Sequence, residues 1–190
     1  PKIRVDKFKE GAVTLVEGAT FILDSALDED AGDQERVGIA YKELVNDVKA
    51  GDELLLDDGK IILRVNAVTE TEVITTVEVG GELSNRKGIN LKGGGLSAPA
   101  LNDKDREDLI CAANFNTDFI AVSFPCSADD IHEARSLLEK AGSNASIIAK
   151  IERTEAITNI DEIILASDGI MIARGDLAVE IGDAKLVGVQ

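Results

Sequence analysis

Two apolar runs in consecutive segments constrain this chain more than any other feature. Ile147-Ile148-Ala149-Lys150-Ile151-Glu152 and Ile170-Met171-Ile172-Ala173-Arg174-Gly175-Asp176 both have the length of a strand and both end abruptly in charge. On an extended strand, residues two apart share a face, so Lys150 and Glu152 leave the first run side by side. Taking such a pair out of water costs several kcal/mol per ion, as an order of magnitude, unless a metal ion or ligand offsets it. A solvated strand end accounts for either run alone. Two such runs in succession, with an acid at the end of each and a lysine between, favour a site.

The surrounding pattern says what kind of sheet would hold them. From Leu101 onward the chain alternates between helical and strand periodicity. Asn102 or Asp103 can cap a helix running to about Ala113, and Asp118 to Phe124 reads as a buried strand. Ser127 can cap a helix from Ala128 to Lys140, with Ile131, Ala134, Leu137 and Leu138 at helical spacing. A strand over Ser146 to Ile151, a helix over Thr154 to Ala166 and a strand over Asp168 to Ala173 follow. Repeats of roughly 25 to 30 residues of this kind predict parallel α/β units. In such sheets active sites gather at the carboxyl ends of the strands. Here those ends are Ser123-Phe124, Lys150 with Glu152, and Ala173 to Asp176.

The first half of the chain has a different texture. Ala12 to Val16, Thr20 to Asp24, Val37 to Tyr41, Glu53 to Leu56, Lys60 to Val65 and Glu72 to Val79 are apolar or β-branched segments separated by Gly, Asp and Asn. Asp58-Gly59 is an Asp-Gly pair of the kind that favours a tight hairpin. This spacing predicts a small all-β barrel or sandwich. Residues 24 to 34 read as an acidic loop, and Leu44, Val45 and Val48 suit one face of a helical turn between Lys42 and Lys49. Lys92-Gly93-Gly94-Gly95 lacks the Gly-Lys-Ser/Thr ending of a P-loop and reads as a flexible connector.

Composition narrows the partners. A net charge of -16, from 36 acids against 20 Lys plus Arg, excludes a nucleic acid held by phosphate contacts. Any bound phosphate must be held locally, by a few bases or a metal. Cys111 and Cys126 have neither metal-ligand nor redox spacing and read as reduced, buried thiols of a cytosolic protein. No apolar run approaches the roughly 18 residues of a membrane span, and no signal peptide is present. The chain begins at Pro1 without Met and stops at Gln190 without a closing signal, so it reads as an internal piece of something longer.

Glu152 and Asp176 are hard oxygen donors suited to Mg²⁺ or Mn²⁺, with coordination positions left for water and substrate oxygens. Lys150 beside them can stabilise an enolate or a phosphoryl group in transfer. Gly175 has no side chain, so its N–H can closely approach a bound carboxylate. Together these describe a metal-assisted site for a small anionic oxyacid. Arg174 fits either an ion pair with a neighbouring acid or a substrate contact. His132, among polar residues, reads as solvated, and Asp57 and Asp58 as turn residues first.

Several motifs resemble one known family. Pro1-Lys2-Ile3-Arg4, Asp57-Asp58-Gly59, Arg86-Lys87-Gly88-Ile89-Asn90-Leu91, Pro99-Ala100-Leu101 with Lys104-Asp105, Lys150-Ile151-Glu152 and Met171 to Leu177 together make the chain similar to an internal segment of pyruvate kinase. The resemblance implies an α/β fold, a partial (β/α)8 TIM barrel with an inserted small all-β lid domain. Residues 1–3 would end a barrel strand, 4–92 would form the lid and 93–190 a barrel segment. It implies the glycolytic transfer of phosphate from phosphoenolpyruvate to ADP, giving pyruvate and ATP, by a cytoplasmic enzyme that is usually a homotetramer.

By matched position, Lys150 would be the transition-state stabiliser and would meet the substrate. Glu152 and Asp176 would hold Mg²⁺ or Mn²⁺, and backbone groups at Ala173, Gly175 and Asp176 the substrate carboxylate. Arg4, Lys87 and Asp58 would meet nucleotide phosphates, and Gly93 to Gly95 would act as one hinge of lid closure. The K⁺ that family members commonly use would be held by strands before Pro1. With those strands and the ones after Gln190 missing, the chain alone is expected to be inactive. Two rival readings remain: a metal-dependent barrel lyase or aldolase acting on pyruvate-like acids, and a module of residues 4 to 91 that folds alone and only binds.

Overall fold

The computed structural model describes residues 2–189, which fall into two compact units, Lys2–Ala98 and a second beginning at Pro99. Pro1, which opens the expected strand end at residues 1–3, and Gln190 lie outside the described residues.

The first unit is built from strands β1 (Ala12–Leu15), β2 (Thr20–Asp24), β3 (Arg36–Gly38), β4 (Glu53–Leu56), β5 (Ile61–Val68), β6 (Glu72–Val79), β7 (Gly81–Ser84) and β8 (Ile89–Leu91), with one helical turn, α1 (Leu44–Asp47). Strands β1 and β7 pair with each other, and the rest form a six-stranded sheet in the order β3-β2-β6-β5-β4-β8. Alternation sets the inner face: Ile61, Leu63 and Val65 of β5 and Val73, Thr75 and Val77 of β6 are buried. The buried Thr75 hydroxyl donates to Phe21 O at 2.7 Å, so it leaves no unmet polar group in the core.

The segment Ile3–Asp6 joins the two edges of this sheet. On the β8 side, Val5 N–H donates to Lys87 O at 2.9 Å and Ile89 N–H to Ile3 O at 2.9 Å. On the β3 side, Asp6 N–H donates to Gly38 O at 2.8 Å and Ala40 N–H to Arg4 O at 3.3 Å. The sheet is thereby closed on itself, which removes the exposed edges that an open sheet of this size would present. The expected Asp-Gly hairpin between β4 and β5 is present in a longer form. Asp57, Asp58 and Gly59 take φ of 48°, 57° and 84°, so the left-handed run begins two residues before the glycine.

The second unit contains α2 (Asp103–Asn114), β9 (Phe119–Val122), α3 (Ala128–Lys140), β10 (Ser146–Ile151), α4 (Thr154–Thr158), α5 (Ile160–Ala166), β11 (Gly169–Ile172), α6 (Arg174–Ile181) and α7 (Asp183–Val189). Its three strands are parallel, in the order β11-β10-β9. One face of β10, formed by Ile147, Ala149 and Ile151, is fully buried in a cluster with Leu109, Ile131, Ala134, Leu138, Ile163 and Leu177 from the helices. Lys150 stands on the other face.

Several expectations are corrected. The helix expected over Thr154 to Ala166 is two helices, because Asn159 leaves helical geometry and its amide donates to Cys126 O at 2.8 Å. Strands β7 and β8, of four and three residues, add to those expected. Arg174, Gly175 and Asp176 open helix α6 and do not end a strand. Neither Ala173 as cap nor Gly175 in the first turn signals a helix start. Gly93, Gly94 and Gly95 take φ of 87°, 82° and 105°, a run of left-handed conformations that glycine adopts readily. Cys111 is exposed, since it lies on α2 away from the buried Leu109 and Ala113; Cys126 is half-buried, and burial pushes its thiol pKa up. Among the described residues no helix is long and apolar enough to cross a membrane.

Closure by residues 3–6 has a measurable consequence. Val5→Pro removes the N–H given to Lys87 O and is expected to cost about 1–3 kcal/mol. Urea unfolding followed by fluorescence of Tyr41, the one tyrosine in a chain without tryptophan, should show that loss. A shift no larger than that of Val5→Ala would mean that closure contributes nothing.

Candidate active site

Lys150 and Glu152 form a close pair at the carboxyl end of β10. Lys150 Nζ lies 2.7 Å from Glu152 Oε1, and the Glu152 side chain is 2 % exposed against 26 % for Lys150. A buried carboxylate needs both oxygens satisfied, and the second is met by a neighbouring strand: Phe124 N–H donates to Glu152 Oε2 at 2.9 Å. Phe124 is a buried non-glycine residue with φ of 57°, in the sparsely populated left-handed region. Register explains the meeting. Ala149 stands opposite Val122 and Lys150 opposite Met171, so the residues just past β9 and β11 flank Lys150 and Glu152. Ser123 Oγ accepts a hydrogen bond from Lys150 Nζ at 3.1 Å.

On the β11 side, Ala173 N–H donates to Ile151 O at 3.0 Å and Ala173 O accepts from Leu177 N at 3.1 Å. The backbone of Ala173 is therefore committed to the sheet and to helix α6. The amino end of α6 comes next, with Gly175 and Asp176 in its first turn. Helix N–H groups at this position point toward an anion, and an acid here is favoured by the helix dipole. The Arg174 side chain is exposed, as is His132 on α3. Among the described residues no three or more His, Cys, Asp or Glu side chains form a metal-holding group. A divalent ion at Glu152 and Asp176 would have two hard carboxylate donors and take its remaining ligands from water and substrate, the pattern that suits Mg²⁺.

Behind the pair lies a second polar layer absent from the sequence reading. Arg153 is buried and meets Glu155 with Nε at 3.2 Å from Oε2. Glu180, also buried, accepts from Thr154 N–H at 2.9 Å and from Thr154 Oγ1 at 3.2 Å, tying α6 to the start of α4. Spacing could not reveal the Thr154–Glu180 tie, because its partners lie 26 residues apart.

In the first unit the structure brings Arg4, Lys87 and Asp58 to one corner. Arg4 bridges Gly88 in the backbone and donates from Nη1 to Arg86 O at 2.8 Å. Lys87 Nζ lies 2.8 Å from Asp57 Oδ1, and Lys2 Nζ lies 2.9 Å from Asp58 Oδ1. Asp57 also meets Lys60 at 3.0 Å.

A parallel β/α unit with the Lys150–Glu152 pair at the carboxyl end of its central strand, following a closed β unit in the same chain, defines a protein of the β/α class. The family model for the pyruvate kinase barrel domain matches residues 1–190. The chain belongs to the pyruvate kinase family. It is 57% identical over 193 residues to a pyruvate kinase of Buchnera aphidicola subsp. Acyrthosiphon pisum, covering 100% of this chain and 40% of that protein. It is 56% identical over 193 residues to one of Haemophilus influenzae, with the same coverage. To one of Mycobacterium tuberculosis it is 44% identical over 181 residues, covering 95% of this chain and 38% of that protein. The chain thus spans about 40% of the length of the curated relatives it matches most fully.

The Asp57 pairing should be visible in the acid limb of stability. Hydrogen bonds from Lys87 and then Lys60 hold its carboxyl below the ordinary 3.8. A depressed folded pKa gives stability that is complete above the ordinary value and is lost as pH falls through the folded one. Asp57→Asn is therefore expected to melt lower than the parent chain at neutral pH, with the gap closing on acidification. A gap that stays constant with pH would contradict the pairing.

Proposed function

We propose that this chain carries the lysine and carboxylates of an enzyme that transfers phosphate from phosphoenolpyruvate to ADP, giving pyruvate and ATP in the cytoplasm. The observation that carries the reading is the Lys150–Glu152 pair at the carboxyl end of the central strand, with Glu152 buried and held by Phe124 N–H. Family membership supports it. The second unit would be part of the family's (β/α)8 barrel and the first its lid.

In this reading Glu152 and Asp176 would hold Mg²⁺ or Mn²⁺, which would supply charge neutralisation during the transfer. The Lys150 ammonium meets the negative charge that develops as the phosphoryl group leaves the enolate oxygen. The N–H groups of Gly175 and Asp176 hold the substrate carboxylate at the amino end of α6. Ala173, whose backbone groups are engaged, contributes a small side chain beside them. Arg4 and Lys87 meet nucleotide phosphates, with Asp58 beside them. Lys87 already has Asp57 as a partner, so phosphate must compete with that carboxylate for the ammonium. A lyase has no phosphate carrier for such a basic corner to meet, which disfavours that rival.

Titration of this chain with Mn²⁺, read by the electron paramagnetic resonance signal of the free ion, should show binding that Glu152→Gln weakens at least about tenfold. Equal affinity in a Glu152→Gln, Asp176→Asn double variant would overturn the metal assignment. In a coupled pyruvate assay with Mg²⁺, K⁺, phosphoenolpyruvate and ADP, this chain, with about 40% of its relatives' length, is expected to show no turnover. Robust turnover would refute that expectation.

A further inference from the structure

We propose that Ser123 is a positioning residue for Lys150. A lysine ammonium has three donors on a flexible four-carbon stem, so one contact alone leaves it free to swivel. Here two donors are committed in different directions. One meets Glu152 Oε1 at 2.7 Å from further along the same chain segment, and the other meets Ser123 Oγ at 3.1 Å from just past β9. With two of three tetrahedral N–H bonds fixed, the direction of the third is fixed as well.

The two acceptors are themselves held. Glu152 is 1 % exposed, and Phe124 N–H donates to its other oxygen at 2.9 Å. The left-handed conformation at Phe124 bends the chain immediately after Ser123, and adjacent residues serve both members of the pair: the Ser123 side chain holds Lys150 and the Phe124 backbone holds Glu152. That the remaining N–H meets substrate rests on the phosphoryl-transfer reading above; the ordering of the ammonium by Ser123 does not.

The test is nuclear magnetic resonance of the side-chain ammonium groups in ¹⁵N-lysine-labelled chain, with Lys150 assigned through Lys150→Arg. Ser123→Ala is expected to speed proton exchange at the Lys150 ammonium roughly fivefold, the factor that loss of one ordinary hydrogen bond produces. Ser123→Thr, which keeps the hydroxyl, should restore slow exchange. Ser123→Cys, close in size to serine but a weak acceptor, should behave as the alanine variant does, and it serves should the alanine variant not fold. Melting temperatures of the three variants should match, which separates positioning from a general structural effect. An exchange rate unchanged in both Ser123→Ala and Ser123→Cys overturns the proposal. Faster exchange in a chain that binds no Mn²⁺ upholds the part played by Ser123 and removes the phosphoryl-transfer reading instead.

Discussion

The second unit is organised around one carboxylate taken out of water. Glu152 is almost wholly enclosed, and an isolated carboxylate in that position would be too costly to retain. It is kept by two donors of different kinds, a side-chain ammonium and a backbone N–H. The backbone donor exists only because β9 and β10 run parallel in their particular register and because Phe124 turns left-handed straight after the strand. Sheet register, a strained residue and a buried charge are thus linked at one place. Strain of this sort persists where its surroundings over-determine it.

Helices stabilise that arrangement from behind. The buried face of β10 is wholly apolar and is packed by residues of α2 through α7, so the strand cannot shift by one residue without turning Lys150 into the apolar cluster. Glu180 and Thr154 add a polar tie between α6 and the beginning of α4. That tie fixes the carboxyl-terminal turn of α6 against the beginning of α4.

The first unit meets its own acid excess by sharing cations. Arg36 pairs with both Asp24 and Glu72, at 2.9 Å and 2.8 Å, and Arg64 with both Glu53 and Glu78. Hydrogen bonds to Glu72 and Asp24 push the pKa of Arg36 up further. Partly exposed pairs of this kind stabilise little individually, and their main effect is to fix which strands lie side by side. In the corner holding Lys2, Lys87, Asp57 and Asp58 the sharing is reversed, with Asp57 meeting both Lys87 and Lys60. Its basic groups are held in place by carboxylates, and an arriving anion would have to displace them.

Much of the architecture was legible in the residues. Helix α3, strand β10 and the capping of α2 by Asn102 follow from periodicity and cap chemistry, which are local. So was the pairing of Lys150 with Glu152, because a period of two places them on one face before any fold is known. Family motifs named the residue types of the site. What sequence left open were matters that depend on distant neighbours. Closure of the β sheet by Ile3–Asp6 needs partners more than thirty and more than eighty residues away. The break at Asn159 goes with a contact to Cys126 O, 33 residues away, and the start of α6 at Arg174 has no capping side chain to signal it. The composition of the end of β10 determined that a lysine and an acid would leave it on one face. Only the parallel register of β9 against β10 decided that Ser123 and the Phe124 N–H would hold them, since a hydrogen bond between strands is a property of their alignment and of neither strand alone.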